Sequence, residues 1–341
     1  MPTVIDWNPT VDPSEFVEST RQTLAAGAVA VLPGDNGYLA AWKAGVAVNL
    51  AASALLAWGP EDVTARGGIV SRIAQRLMLR AWPAPLVLEL PSPATSTNWQ
   101  RFRCPDHPLF DLVIPAIAEL GPVCVADTQC PQAQAATDVL GAEVGLIVNA
   151  GERPVGNAAT VIRVDDHSWQ LVHPGAFNVA EIQRLAARII LFICTGNTCR
   201  SPLAEALAKK LLAEQLHCHV DDLPARGFWI LSAGVAAWEG SPASEESIAA
   251  AEELGADLRG HTSRPVSAQL LMAADDVIVM THSHLHALAR RYPNIGPAPR
   301  LLCGDTDLDD PVGADRAVYR HCAQTILRHL ERLLPEWVES S

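Results

Sequence analysis

Arg188–Leu216 reads RIILFICTGNTCRSPLAEALAKKLLAEQL, and its three parts decide the fold of the second half of the chain. RIILFIC (188–194) is a continuous apolar run, the signature of a strand buried on both faces in a parallel sheet. A short turn containing Gly196 follows, and then SPLAEALAKKLLAEQL (201–216). Ser201 and Pro202 are helix-start residues, and Leu203, Leu207 and Leu211 repeat every four positions along one helix face. Working outward, FWILSAG (228–234) and ADDVIVM (274–280) read as further strands, with helices expected over 244–255, 282–291 and 314–334. Strand alternating with helix predicts an α/β domain over 188–341, a central parallel sheet flanked by helices. NVAEIQRLAAR (178–188) reads as the helix closing the preceding unit, which sets the domains at 1–187 and 188–341.

The turn carries the chemistry. A cysteine and an arginine six positions apart mean little alone, since Cys322 and Arg328 share that spacing inside a helical pattern without glycine or preceding strand. Cys194, by contrast, ends an apolar strand. Gly196 is expected to permit a tight loop whose backbone N–H groups turn inward. A helix expected to begin at about Pro202 would face its positive end toward the same cavity. Thr195, Gly196, Asn197, Thr198, Cys199 and Ser201 then form a cradle for a dianionic phosphoryl group. The same field favours the nucleophilic thiolate of Cys194, and Arg200 can donate two parallel hydrogen bonds to phosphoryl oxygens. A leaving group needs an acid, for which the loop Asp309-Asp310-Pro311 ahead of the last helix offers a carboxylate. No metal or cofactor is required.

The 341 residues suggest about two domains, and 49% hydrophobic with 18% charged residues exclude a disordered chain. A net charge of −13 argues against general affinity for nucleic acid or anionic lipid. Eight cysteines are too few for a disulfide scaffold. MPTVIDWNPT has no signal-peptide pattern, and the apolar stretch Val46–Trp58, broken by Asn49, is too short to span a bilayer. A reduced, cytoplasmic protein is the expectation.

The second half resembles the low-molecular-weight protein tyrosine phosphatases through a series of ordered motifs. These are CTGNTCRSP, SAGVAAWEGSP (232–242), ELGADLRGHTSRPV (253–266), DDVIVMTHSH (275–284) and DDP (309–311). The resemblance implies a nucleophile at Cys194, a phosphate-clamping arginine at Arg200 and a general acid at Asp310. It also implies that Asn197 braces the loop and that the Ser201 hydroxyl supports the thiolate. The implied reaction passes through a phosphocysteine, with a phosphorylated protein as substrate. Thr198 stands where many tyrosine-directed members carry an apolar residue, and CTGNTCRSP is similar to the bacterial protein-arginine phosphatases of the family. Val312-Gly313 replaces aromatics often found after the acid, while Trp238 keeps an aromatic at the cleft edge. Phosphotyrosine and phosphoarginine both remain open.

Cys199 either traps an oxidised Cys194 as a disulfide, as in the family, or is a small buried loop residue. Cys124, Cys130, Cys218 and Cys303 read as core residues. His282, His284 and His286 alternate into a helix and so cannot share one face, which favours polar helix-start residues over a metal site. The aspartates of 305–310 do not form a calcium loop, because Arg316 stands where the bidentate glutamate belongs. Arsenate reduction on the same fold needs relay cysteines, and residues 219–302 contain none.

The first half reads as mixed α/β, with strands expected at 28–33, 85–91, 122–126, 144–151 and 160–164 and helices at 13–26, 47–58, 109–119 and 178–187. Residues 13–187 resemble the YrdC-like family of threonylcarbamoyl-AMP synthases. The resemblance rests on LPGDNGY (32–38), AWPAPLVLELP (81–91), GLIVNAGERPVGNAATVI (145–162) and LVHPGAFNVAEI (171–182). The family's Lys-Gly-Arg aligns with Trp58-Gly59-Pro60, and its Ser-x-Asn with Asp127-Thr128-Gln129. Its threonine-rich first motif aligns with Gly34-Asp35-Asn36, and a late arginine becomes His173. A triphosphate needs cations, and Asp127 would repel it. The expectation is a YrdC-like fold without synthase activity, retained to bind a small molecule or nucleotide; the alternative is a bifunctional protein that still makes threonylcarbamoyl-AMP.

Overall fold

The structure is a computed structural model that describes residues 1–8, 12–48, 50, 53–93 and 98–339. The chain divides into two compact units, Met1–Ala186 and Ala187–Ser341.

The first unit holds strands β1 (Thr3–Asp6), β2 (Val29–Pro33), β3 (Tyr38–Lys43), β4 (Ala54–Leu56), β5 (Leu86–Pro91) and β6 (Trp99–Arg103). It continues with β7 (Val123–Asp127), β8 (Val144–Asn149), β9 (Thr160–Val164) and β10 (Trp169–His173). Its helices are α1 (Ser14–Ala25), α2 (Pro60–Ala65), α3 (Arg72–Ala81), α4 (Pro108–Ile117), α5 (Ala133–Leu140) and α6 (Val179–Ala186). The strands form one mixed sheet in the order β1-β8-β2-β3-β7-β4-β6-β5-β9-β10. The helix expected over 47–58 is overturned: Ala54–Leu56 is a buried strand, parallel to β6 and antiparallel to β7. The short apolar run 54–58 offers no periodicity to separate buried helix from buried strand, and pairing on both sides decides it. Asn49 and residues 51–52 of that stretch lie outside the described residues.

The second unit is built on β11 (Arg188–Cys194), α7 (Arg200–Gln215), β12 (Phe228–Gly234), α8 (Glu245–Glu253) and α9 (Ala268–Ala273). It is completed by β13 (Asp276–Val279), α10 (His282–Arg291), β14 (Arg300–Leu301) and α11 (Arg316–Glu339). The sheet is parallel throughout, in the order β12-β11-β13-β14. Alternation along β11 sends Ile190, Phe192 and Cys194 into one core with α7, α8 and α11, and Leu191 and Ile193 into another with α9 and α10. Both faces are covered, which is why the strand is apolar at every interior position. From β11 the chain crosses by way of α7 to β12 on one side, while β13 pairs on the other. Where neighbouring connections depart to opposite faces, a crevice opens beyond the carboxyl end of the central strand. Cys194 is the last residue of that strand.

Candidate active site

The turn after β11 is wound around Asn197. Its φ of 56° places it in the left-handed region, whereas Gly196 has no positive φ. The left-handed residue of this tight loop is thus Asn197, directly after Gly196. Asparagine tolerates this conformation better than most residues, and here its side chain is tied down on every side. Asn197 Nδ2 donates to Ser201 Oγ at 3.0 Å and to Ser232 Oγ at 2.8 Å, and the Arg264 N–H donates to Asn197 Oδ1 at 2.8 Å. His261 Nε2 lies 2.8 Å from the Asn197 carbonyl oxygen. Behind Ser232, whose hydroxyl donates to Glu205 Oε2 at 2.6 Å, Glu205 Oε1 meets Lys209 Nζ at 2.5 Å. The brace thus runs from β12 and α7 into the turn. Gly234 lets the turn sit this close: a Cβ there would fall 2.5 Å from the Thr195 carbonyl oxygen and 3.0 Å from the Asn197 nitrogen.

This arrangement delivers two groups to the buried sulfur of Cys194. The Asn197 N–H donates to Sγ at 3.3 Å, and Ser201 Oγ lies 3.0 Å away. Helix α7 begins at Arg200, two residues earlier than the sequence signals, so the first turn of the helix is part of the cradle. Arg200 is buried, with Nη1 donating to the Leu308 carbonyl at 3.2 Å and Nη2 in close contact with Asp310 Oδ2. Asp310 is 46% exposed on the loop before α11, and its other oxygen accepts from the Val312 N–H at 3.2 Å. The Leu308 N–H bonds the Met280 carbonyl at 2.8 Å, which fixes the root of that loop beside β13. Nucleophile and guanidinium, six residues apart on one turn, are therefore joined at the strand end by a carboxylate 110 positions farther along the chain. Such a constellation can bind a tetrahedral dianion, attack it with sulfur and protonate a leaving atom.

Thr195 is exposed at the mouth and Thr198 half-buried. Cys199 is buried behind the loop, its sulfur 3.5 Å from Ser244 Oγ and 3.6 Å from the Tyr319 hydroxyl. Burial and the Cys199 contact push the Tyr319 hydroxyl up to about 12. Trp238, on the loop after β12, and Val312, beside Asp310, are both exposed. The histidines at the start of α10 separate. His282 Nδ1 meets Asp307 Oδ1 at 2.6 Å, while His284 is buried with both ring nitrogens engaged by Thr281 and Thr195. Sequence reading singles out the turn and Asp310 but misses Glu205, His261, Tyr319 and the role of His284. Each contributes from a separate element, and only the SAG and HTSR motifs signalled that neighbourhood.

In the first unit, Arg103 at the end of β6 is almost fully enclosed. Asp35 Oδ1 lies 2.6 Å from its Nη2, and Asp127 Oδ1 3.0 Å from its Nη1. Burial raises the carboxyl of Asp127 above the usual range against the pull of Arg103. Asp35 follows Gly34 in the turn after β2, and Asp127 ends β7.

Residues 189–340 match the family model described as low molecular weight phosphotyrosine protein phosphatase. The protein-arginine-phosphatase of Bacillus subtilis (strain 168) is 33% identical over 153 residues, spanning 42% of this chain and 95% of the relative. The low molecular weight protein-tyrosine-phosphatase PtpB of Staphylococcus haemolyticus (strain JCSC1435) is 33% identical over 147 residues, 42% of this chain and 96% of the relative. An arsenate reductase of Bacillus cereus (strain G9842) is 29% identical over 145 residues, 42% of this chain and 92% of the relative.

Proposed function

The chain belongs, through residues 189–340, to the low molecular weight phosphotyrosine protein phosphatase family, and we propose that it hydrolyses phosphotyrosine or phosphoarginine in proteins by way of a phosphocysteine. The observation that carries this reading is the convergence of Cys194 Sγ, Arg200 and Asp310 at the carboxyl end of β11. Cys194 Sγ attacks phosphorus in line, forming the S–P bond as the P–O or P–N bond breaks. Asp310 gives its proton to the departing oxygen or nitrogen. Asp310 then takes a proton from water as its oxygen attacks phosphorus, the S–P bond breaks, and phosphate leaves with the thiolate restored. Arg200 and the backbone N–H groups of 195–200 hold the equatorial oxygens in both steps. Trp238 and Val312 edge the cleft on this reading, and Ser201 with Asn197 supports the sulfur.

The test compares phosphotyrosine and phosphoarginine peptides with wild type, Cys194→Ser, Asp310→Asn and Thr198→Ile. Cys194→Ser abolishes turnover, and Thr198→Ile shifts preference toward phosphotyrosine. A folded wild type that cleaves neither peptide refutes the reading. Arsenate reduction, suggested by one relative, is disfavoured: 219–302 hold no cysteine, and burial pushes the Cys322 thiol up to about 12. Thiol-dependent arsenite formation would reverse that choice.

For residues 1–187 the proposal is a YrdC-like domain without synthase activity that binds a small molecule or nucleotide. The Asp35–Arg103–Asp127 cluster supports it, because two carboxylates already engage the guanidinium and leave a net negative charge facing any triphosphate. Incubating the full chain with ATP, bicarbonate and threonine should give no threonylcarbamoyl-AMP; its formation would establish the bifunctional alternative.

A further inference from the structure

His284 stands outside the anion-binding turn, at the start of α10, and is 2% exposed. Its ring bridges two threonines: Nδ1 lies 2.9 Å from Thr281 Oγ1, and Nε2 lies 3.0 Å from Thr195 Oγ1. Thr281 caps the helix and also contacts Ser283 Oγ at 2.7 Å, so this end of the bridge is anchored within α10 itself. Thr195 is the residue directly after the nucleophile and is exposed at the mouth. We propose that His284 is a positioning residue that fixes the Thr195 hydroxyl at the mouth of the site, and that this fixed hydroxyl selects a phosphorylated guanidinium over a phosphorylated phenol. The inference rests on the phosphatase reading and deepens it.

The hydrogen-bond inventory carries the argument. A hydroxyl has one proton and two lone pairs, and a neutral imidazole has one donor and one acceptor. If Nε2–H donates to Thr195, the hydroxyl keeps its proton and one lone pair for the mouth. If Thr195 donates to Nε2, it keeps both lone pairs. In either tautomer Thr195 Oγ1 remains an acceptor in a rotamer set by the ring. A phosphoguanidinium carries N–H groups beside the scissile P–N bond and can satisfy that acceptor. A phenyl ring has none, and seating it would strip water from a fixed polar atom without replacement.

The ring stays neutral for reasons visible around it. Burial and the Arg200 guanidinium push His284 down to about 4, outweighing the opposite pull of Asp310 and Asp307. His284 therefore orients Thr195 without adding a second cation beside Arg200.

The experiment uses the full chain as wild type, His284→Ala, Thr195→Val and Thr195→Ser, with phosphoarginine and phosphotyrosine peptides as substrates. Thr195→Val keeps the volume and removes the hydroxyl at the exposed end of the contact, which guards against a folding defect in His284→Ala. Both should lower kcat/KM on phosphoarginine by about tenfold and on phosphotyrosine by less than about threefold, while Thr195→Ser retains the preference. A second readout needs no turnover. Inorganic phosphate should move the His284 Nε2 resonance in wild type and leave it unmoved in Thr195→Val. Equal losses on the two peptides, or a larger loss on phosphotyrosine, overturn the selectivity. A resonance that responds alike in wild type and Thr195→Val overturns the positioning. A wild type that cleaves neither peptide overturns the phosphatase reading and the selectivity with it, and the phosphate titration still decides the positioning.

Discussion

Gly234→Ala tests how tightly the site is built. Gly234 ends β12, and a Cβ there would lie 2.5 Å from the Thr195 carbonyl oxygen, 2.9 Å from Ala237 Cβ and 3.0 Å from the Asn197 nitrogen. Two of these neighbours are backbone atoms, which cannot rotate away. The turn or the strand must retreat by roughly 0.5–1 Å to reach ordinary contact distance, in a region packed at interior density. Overpacking of this kind costs about 1–3 kcal/mol. For a domain of this size that lowers Tm by roughly 2–12 °C. The larger effect falls on the reaction, because the displaced atoms include the Asn197 N–H that reaches Cys194 Sγ. A misplacement near 1 Å in such a site costs on the order of 100-fold in rate. The assay is kcat/KM on an aryl phosphate alongside thermal unfolding, with Gly59→Ala as control, since a Cβ at Gly59 meets nothing within 4 Å. Activity within twofold of wild type together with an unchanged Tm would refute the close approach of the turn to β12.

Arg200→Lys should keep the charge but lose the planar fork, and kcat should fall by on the order of 100-fold in steady-state assays. Asp35→Ala removes one of two carboxylates from the enclosed Arg103 and should destabilise the first unit by about 3 kcal/mol, read from a shifted urea midpoint. Burial pushes His107 and His284 down to about 4 in the folded chain. Between there and their unfolded value of 6.5 the unfolded chain binds the extra protons, so stability is complete above that window and lost as pH falls through it. The loss is up to about 3 kcal/mol per histidine, and urea curves at pH 7 and 4.5 would check it; a flat profile contradicts the burial of both rings.

The second unit was legible because local and global signals coincide there. RIILFIC is apolar at each interior position and becomes the central strand, and the turn after it collects Cys194 and Arg200 as read. Asp310 was placed by resemblance, and its approach to Arg200 depends on a long-range fold that spacing cannot reveal. The brace behind the turn was only partly legible: Ser232 lies in the SAG motif and His261 and Arg264 in HTSR, but with Glu205 of α7 they come from three separate segments, and spacing does not reveal that these meet. The left-handed residue of the turn, Asn197, was not marked in the sequence, because the side-chain bonds that secure its conformation are tertiary. In the first unit the apolar run near Ala54–Leu56 fits helix and strand equally, and pairing with β6 and β7 decided it.

The two enclosed guanidiniums differ in how replaceable their partners are. Arg200 meets one carboxylate, carried on a half-exposed loop, so an incoming dianion exchanges with a tethered ligand much as solvent exchanges at a labile coordination position. Arg103 is held by two carboxylates on the scaffold, one at the end of β7 and one in the turn after β2, and all three side chains are largely buried. Arg103 thus lies in a closed arrangement with two acid partners, whereas Arg200 keeps a single partner that its loop can carry away.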